Sequence, residues 1–250
     1  MTLIAERVSM SFGGLVALNE VTLTVPERRI IGLIGPNGAG KTTLFNCLTG
    51  LYAPTSGRIL LNGRPLAADP AEAARGGIAR TFQNIRLFAE MSALGNVLVG
   101  RHTRIRQSLL GALFHGPRFR RSEAEAVERA RAELGFVGLD PDGGAPARSL
   151  AYGDQRRLEI ARALAGDPAV LMLDEPTAGM NAIETAAIRE LIIAIRNRGI
   201  AVVVIEHDTK FIFSLCDHVH VLVRGRLLVE GPPADVRADP RVIEAYLGAA

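Results

Sequence analysis

The fold is decided by one stretch of sequence, Gly35-Pro36-Asn37-Gly38-Ala39-Gly40-Lys41-Thr42-Thr43. It has the spacing G-x-x-x-x-G-K-T of a phosphate-binding loop. The apolar run Ile30–Ile34 before it predicts a buried strand, and residues 42–48 can form the helix after it. The glycines let backbone N–H groups converge at the helix N-terminus, where an anion is stabilised. We therefore predict a nucleoside triphosphate site rather than a glycine-rich turn with an incidental lysine.

Two side chains of this loop have assigned roles in the prediction. Lys41 should reach the β- and γ-phosphates of the nucleotide, and the Thr42 hydroxyl should bind Mg²⁺.

Composition excludes several other kinds of protein. The chain has 250 residues, of which 48% are hydrophobic, so a sizeable core is expected. With 29 Lys+Arg against 26 Asp+Glu, the net charge of +3 is too small to argue for nucleic acid. We find no signal peptide and no apolar run near the roughly 20 residues that span a bilayer, and expect a soluble chain. Cys47 and Cys216 should be inert core residues in a reducing compartment.

The order of apolar segments predicts an α/β fold. Strands alternating with helices indicate a parallel sheet covered by helices, and two alternating strands before the phosphate loop indicate an antiparallel sheet beside it. Between residues 94 and 139 the pattern becomes helical, with Gly135 placed to end a helix over 123–134. The predicted strands are 8–12, 21–25, 30–34, 57–62, 78–82, 170–173, 201–205, 219–223 and 227–230, and the later helices are 153–165 and 182–198.

A run of arginines precedes the helix over 123–134. Six arginines and no acid lie between Arg101 and Arg121. Such a run is usually a solvated face, and contact with phospholipid headgroups or an acidic partner stays open as an alternative.

Polar residues follow two of the buried strands. Asp174 and Glu175 come directly after the strand over 170–173, and His207 follows the strand over 201–205. The carboxyl ends of parallel strands face the ligand crevice, so Asp174 suits Mg²⁺ and Glu175 suits polarising the water that attacks the γ-phosphate. His207 could bind the γ-phosphate or hold that water, or it could be structural. Phe12, at the end of its strand, could stack on adenine or belong to the core.

A second glycine-containing helix start identifies the family. Leu150-Ala151-Tyr152-Gly153-Asp154 stands where the ATP-binding subunits of ABC transporters read L-S-G-G-Q before a helix, and the chain resembles that family over its whole length. The resemblance implies a P-loop NTPase core with a parallel sheet, an antiparallel β subdomain and an inserted α-helical subdomain at about 90–165 of a single domain over 1–250.

The resemblance also implies the roles of individual residues. Phe12 matches the adenine-stacking aromatic, and Gln83 the glutamine that links Mg²⁺ to the membrane partner. Asp174 and Glu175 match the metal-coordinating and catalytic acids, and His207 the switch histidine. Ala151, Tyr152, Gly153 and Asp154 would contact the ATP of a second subunit, so that two chains enclose two nucleotides.

Three residues depart from the family pattern. Ala151 replaces the serine whose hydroxyl contacts the γ-phosphate, and Asp154 places an acid near an anion, which is unfavourable unless the side chain points elsewhere. Asn181 stands where the family commonly has Asp.

Other segments resemble one subgroup. They are L-A-Y-G-D-Q-R-R-L-E-I-A-R, T-F-Q-N-I-R-L-F and A-Y-L-G, which look like importers of branched-chain amino acids, and the arginine-bearing insertion fits the larger, G-type subunit. The implied partners are an F-type ATP-binding subunit (or a second copy of this chain in isolation), two membrane permeases and, indirectly, a periplasmic binding protein, at the cytoplasmic face of the bacterial inner membrane. Urea and short-chain amide importers, a non-transport ABC ATPase and a nucleotide switch without a membrane partner are the alternatives.

Overall fold

A computed structural model of the chain describes residues 2–101, 117–142 and 144–247. The chain divides into two compact units, one formed by Met1–Arg80 with Ala169–Ala250 and the other by Thr81–Pro168. The second unit contains the segment at about 90–165 for which a helical subdomain is expected. None of the described helices combines the length and the apolar character needed to cross a membrane.

A six-stranded sheet forms the centre of the first unit. Its strands lie in the order β10-β9-β3-β8-β7-β6, parallel except for β10, which pairs antiparallel with β9. Every residue of the three strands β3, β7 and β8 is buried, which explains their continuous apolar sequences. The strands are β3 (Ile30–Ile34), β6 (Ile78–Arg80), β7 (Val170–Asp174), β8 (Ala201–Ile205), β9 (His218–Val223) and β10 (Arg226–Gly231).

The second sheet of this unit is antiparallel, as the sequence predicts. It has the order β2-β1-β4-β5, from β1 (Leu3–Phe12), β2 (Leu15–Val25), β4 (Ser56–Leu61) and β5 (Arg64–Pro65). The inward side chains of β1 and β2 join α1 (Lys41–Leu48) and the central sheet in one hydrophobic core. The other helices of the unit are α2 (Pro70–Arg75), α6 (Ala182–Asn197), α7 (Thr209–Leu215), α8 (Pro233–Ala238) and α9 (Pro240–Leu247).

The second unit is helical. Its described helices are α3 (Ala93–Arg101), α4 (Pro117–Phe136) and α5 (Tyr152–Leu164), with a 3₁₀ turn at Ala147–Ser149. Of the arginine run, Arg101 donates to the Ala165 carbonyl at 3.3 Å and Arg121 pairs with Glu125 at 3.1 Å. Arg104 and Arg106 lie outside the described residues, as do the side chains of Arg118 and Arg120.

The predicted end of the helix at Gly135 is wrong. The helix α4 continues through Gly135 to Phe136, and the residue that ends it is Gly138, whose φ is 78°. Leu139 N donates to the Leu134 carbonyl at 2.9 Å and Gly138 N to the Gly135 carbonyl at 3.1 Å. This pair of bonds is a Schellman motif, which needs a left-handed residue after the last turn. A glycine inside the last turn carries no such requirement.

The predicted strand over 78–82 is too long. The strand β6 ends at Arg80, and the unit boundary falls immediately after it. Arg80 turns its side chain toward Asp174, and the Phe82 amide is engaged by a side chain, Glu159, instead of a neighbouring strand. Apolar content alone could not reveal that these residues leave the sheet.

Both thiols should be unreactive in the folded protein. Cys47 lies in α1 and Cys216 follows α7, and both are buried. Burial raises the pKa of Cys47 to about 11 and also raises the pKa of Cys216, so little thiolate is present at neutral pH. We expect no reaction with a thiol-specific chromogenic reagent in buffer at pH 8 and complete reaction in guanidinium chloride. Fast labelling without denaturant would contradict this burial.

Candidate nucleotide site

The predicted phosphate loop joins β3 to α1 at the carboxyl edge of the central sheet. Gly35 has a φ of 151°, and a Cβ at this position would lie 2.0 Å from the Leu222 carbonyl oxygen on β9. Only glycine therefore lets the loop approach β9 so closely. The Gly225 amide donates to the Ala39 carbonyl at 3.0 Å and holds the far side of the loop. Helix α1 begins at Lys41 after Gly40, so its first amides lack partners within the helix and face the loop.

The Lys41 side chain lies under the loop. Its Nζ donates to the carbonyls of Gly35 at 2.6 Å and Pro36 at 3.0 Å. Burial lowers the pKa of Lys41, while the negative charges of Glu175 and Asp174 raise it. The lysine is therefore held at the loop by backbone contacts and by the field of two acids. The hydroxyl-bearing Thr42 beside it is exposed.

The predicted metal acid, Asp174, ends β7 and is buried. Its Oδ2 accepts a hydrogen bond from Arg80 Nη2 at 2.8 Å, and Arg80 Nη1 donates to Asn46 Oδ1 at 2.6 Å. Arg80 thus fixes the carboxylate from the neighbouring strand β6 and ties it to α1. Hydroxyl and carboxylate oxygens, as on Thr42 and Asp174, are the ligand types that Mg²⁺ prefers, so the donor set fits this ion.

The predicted catalytic pair, Glu175 and His207, is brought together by adjacent strands. Asp174 pairs with Ile205 in the register of β7 and β8, so both strands end at the same level. His207 Nε2 lies 2.6 Å from Glu175 Oε1. Glu175 has a φ of 47°, a left-handed conformation that costs a non-glycine residue about 1–3 kcal/mol and clusters at functional sites. The Glu175 amide donates to the Ile205 carbonyl at 2.9 Å, which helps hold this conformation.

A buried acid that sequence reasoning missed supports this pair. Glu206 is 4% exposed and accepts hydrogen bonds from the Thr177 amide at 2.9 Å, from the Thr177 hydroxyl and from the His207 amide at 2.9 Å. It therefore connects the segment after Glu175 to the segment that carries His207. Its place between a buried strand and His207 is the only signal in the sequence, and that signal also fits a strand-end turn.

Replacing Glu206 with Gln should destabilise the protein. The amide NH₂ cannot accept the bonds that both carboxylate oxygens now accept, which should cost about 1.5–3 kcal/mol of unfolding free energy. Urea denaturation followed by circular dichroism measures this loss of unfolding free energy. The matched control is Glu190→Gln, since Glu190 is exposed and pairs with Arg189 on the surface, where a pair contributes about 0–1 kcal/mol. Equal losses in both variants would contradict the role of Glu206.

Phe12 is not a core residue. Its side chain is 44% exposed at the end of β1, and its ring meets Tyr52 edge-on, with centroids 5.5 Å apart. The alternative that Phe12 belongs to the core is therefore wrong. An exposed ring supports the prediction that Phe12 stacks on adenine.

The remaining predicted residues, Gln83 and the segment Ala151–Asp154, belong to the second unit. Ala151 is the N-cap of α5, and its carbonyl accepts from the Gln155 amide at 2.9 Å. The Asp154 carboxylate points along the helix to Arg157, at 3.0 Å. This pairing removes the conflict that an acid would have with a phosphate at the helix start. Tyr152 is half exposed.

A buried ion pair ties Gln83 to the helix of this segment. Arg156, fully buried on α5, donates to the Gln83 carbonyl at 2.8 Å, to the Phe82 carbonyl at 2.7 Å and to Glu159 at 2.9 Å. Glu159 in turn accepts from the amides of Phe82 and Arg86. Burial raises the pKa of Glu159, and the Arg156 charge opposes that shift. The sequence does not predict this buried ion pair, because charged residues on a helix usually face solvent.

The departure at Asn181 has a local explanation. Asn181 Oδ1 accepts from the amides of Ile183 and Glu184, and Glu184 Oε2 accepts from the Asn181 amide at 3.0 Å. This is a capping box at the start of α6, in which Asn and Asp serve equally well.

Comparison with known proteins agrees with this geometry. Residues 18–178 match the family model described as ABC transporter, and residues 226–250 match one described as branched-chain amino acid ATP-binding cassette transporter. The high-affinity branched-chain amino acid transport ATP-binding protein LivG of Salmonella typhimurium (strain LT2) is 49% identical over 96% of this chain and 95% of its own length. BraF of Pseudomonas aeruginosa, which bears the same description, is 49% identical over 97% of this chain and 96% of its own.

The fold has the same affiliation. A crystal structure of an ATP-binding cassette of an ABC transporter in its ADP conformation superposes with a TM-score of 0.86 at 33% identity, covering 99% of both chains. Together with the phosphate loop, the strand-end acids and the Glu175–His207 pair, these matches establish that the chain belongs to the ABC transporter family of ATP-binding cassettes.

Proposed function

We propose that this chain is the ATP-hydrolysing subunit of an importer of branched-chain amino acids. The observation that carries this proposal is the identity of 49% over nearly the full length to relatives described as transport ATP-binding proteins for that cargo. The match of residues 226–250 to a family model described by the same cargo supports it.

The hydrolysis would be performed at the edge of the central sheet. Glu175 would orient the attacking water and accept its proton, while His207 holds the carboxylate at 2.6 Å. Lys41 and the loop over Gly35–Thr43 would bind the β- and γ-phosphates, and Phe12 would stack on adenine. Thr42, Asp174 and Gln83 would hold Mg²⁺, which neutralises charge between the phosphates when it is bound.

The partners are part of the same proposal. A second ATP-binding subunit, an F-type chain or a second copy, would close over the nucleotide bound to this chain. The segment Ala151–Asp154 of this chain would in turn contact the nucleotide bound to that second subunit. Because Arg156 donates to the Gln83 carbonyl, it would couple a movement of Gln83 to a movement of that segment. Membrane permeases would provide the path, the chain would lie at the cytoplasmic face of the inner membrane, and a periplasmic protein would deliver cargo.

Reconstitution tests the proposal. The tagged chain is purified with its partners from mildly solubilised membranes and placed in vesicles with the co-purified binding protein. We expect uptake of labelled leucine, isoleucine or valine that requires ATP and stops in the Glu175→Gln variant. Uptake of urea or acetamide instead would assign the cargo to the alternative importers. Co-purification with nucleic acid, or with no membrane protein, would contradict a transport role.

A further inference from the structure

Two histidines and a glutamate meet on the pair of strands at one edge of the central sheet. In the antiparallel register of β9 and β10, His220 lies directly opposite Glu230. His218 is two residues earlier on β9, so its side chain leaves the same face of the strand. The two imidazole rings have centroids 5.0 Å apart, with an angle of 58° between their planes. Neither the nucleotide site nor the proposed function uses these three residues.

His220 is the unusual member of this group. The residue is 2% exposed, and neither of its ring nitrogens makes a hydrogen bond within the part of the chain that the structure describes. Nδ1 lies only 2.7 Å from Glu230 Oε2, but the direction is not that of a hydrogen bond. A buried polar group that makes no hydrogen bond destabilises a folded protein by about 1–3 kcal/mol. The presence of His220 at this buried position therefore calls for an explanation.

The arrangement has the chemistry of a metal site. One ligand atom from each of His218, His220 and Glu230 lies within 4.8 Å of the others. Two ligand atoms of a tetrahedral ion with bonds near 2.1 Å are about 3.4 Å apart. Side-chain movements of about an ångström would therefore bring the three ligand atoms to the distances that such an ion needs. Two imidazole nitrogens and one carboxylate oxygen suit Zn²⁺ and related first-row ions, and do not suit Mg²⁺ or Ca²⁺.

The space and the charge around the group allow such an ion. A cavity of about 460 Å³ adjoins it, bounded also by Thr22 and Thr24 of β2. Among the described residues that line the cavity, the one arginine or lysine is Arg29, which faces Asp217 at 3.5 Å. Asp217 also faces Arg196 at 3.5 Å. Glu230 is half exposed, which gives an ion a route from solvent.

We propose that His218, His220 and Glu230 bind one Zn²⁺ or a similar transition-metal ion, separate from the ion of the nucleotide site. The ion would join β9 to β10 across the edge of the sheet. Because β9 pairs in parallel with β3, and His220 is level with Leu33, the ion would stabilise the strand that leads into the phosphate loop. Its role would be structural support or metal-dependent regulation of stability, outside the hydrolytic step.

The test is metal binding by the full-length chain without nucleotide. Protein stripped with a chelator is titrated with ZnCl₂ by calorimetry, and the stoichiometry is checked by native mass spectrometry. We expect one equivalent to bind, a rise in the thermal midpoint of about 5–10 °C at a hundredfold excess over Kd, and no rise with MgCl₂. Visible absorption of the cobalt-loaded protein reports nitrogen and oxygen ligation independently.

Variants decide where the ion binds. His220→Leu and Glu230→Gln should each abolish the zinc-dependent rise in the thermal midpoint. In chelator, His220→Leu should be at least as stable as the parent, because it replaces a buried imidazole that makes no hydrogen bond among the described residues with an apolar group. The matched control is His207→Gln, which removes the other described histidine and should retain zinc binding. Absence of tight zinc binding, binding that survives His220→Leu, or binding that is lost with His207→Gln would overturn the proposal.

Discussion

Replacing Glu175 with Gln should lower the ATP turnover rate by about 10²–10⁴-fold, the range typical of removing a general base. The carboxylate is the group that can accept a proton from water, and His207 Nε2 fixes its Oε1 at 2.6 Å. The amide is isosteric, so the left-handed backbone at residue 175 and its bond to the Ile205 carbonyl should remain. ATP binding should therefore persist, and closed dimers should accumulate. Phosphate release measures the turnover rate, and size-exclusion chromatography in ATP measures the dimers.

The control for this experiment is a neighbouring acid outside the site. Glu184→Gln alters a residue of the exposed capping box on α6 and should keep turnover within about twofold, since its effect is confined to the helix start. Full turnover by the Glu175→Gln variant would mean that Glu175 does not act as a base in hydrolysis. A His207→Ala variant with unchanged turnover would mean that the 2.6 Å contact does not serve hydrolysis.

Replacing Lys41 with Ala should weaken ATP binding by about 10–100-fold, as expected for losing charge-assisted hydrogen bonds to phosphate. The thermal midpoint should change little, because burial already penalises the charged form of this lysine. Equilibrium titration with a fluorescent ATP analogue measures the affinity. The sequence offers a matched control in its only other lysine, Lys210, which is exposed at the start of α7.

The two lysine variants separate the local role from general charge. Lys210→Ala removes the same charge and should leave the affinity unchanged. Unaltered ATP affinity in the Lys41→Ala variant would count against the phosphate-loop assignment. Equal weakening in both variants would indicate a long-range electrostatic effect instead.

The sequence predicts that polar residues meet at one edge of the central sheet, because one rule covers their placement. Buried parallel strands are continuous apolar runs, and polar residues placed directly after them must meet at one edge. The placement of Asp174, Glu175 and His207 at this edge follows from the rule alone, and their roles in hydrolysis stay predictions. The pairing of Glu175 with His207 also needed the strand order β3-β8-β7, which no local pattern contains.

Residues that work through buried polar contacts could not be predicted in this way. Arg80, Arg156 and Glu206 all carry charges, and charged side chains are almost always exposed unless paired. Arg156 and Glu206 are buried, and the Arg80 side chain is largely covered, because each has a polar partner from a distant part of the chain. These partners are the Gln83 carbonyl for Arg156, Thr177 for Glu206 and Asp174 for Arg80. The end of α4 differs from its prediction for a related reason, since the fold gives Gly138 and not Gly135 the left-handed backbone conformation that ends the helix.

The inaccessible thiols of Cys47 and Cys216 give the native chain a practical property. A cysteine introduced at an exposed position would be the one site open to a spin label or a fluorophore, without first removing native residues. Ile183, 83% exposed on α6, is one such position. Labelled chains of this kind would let the proposed approach of two subunits be measured as a distance during nucleotide binding, hydrolysis and release.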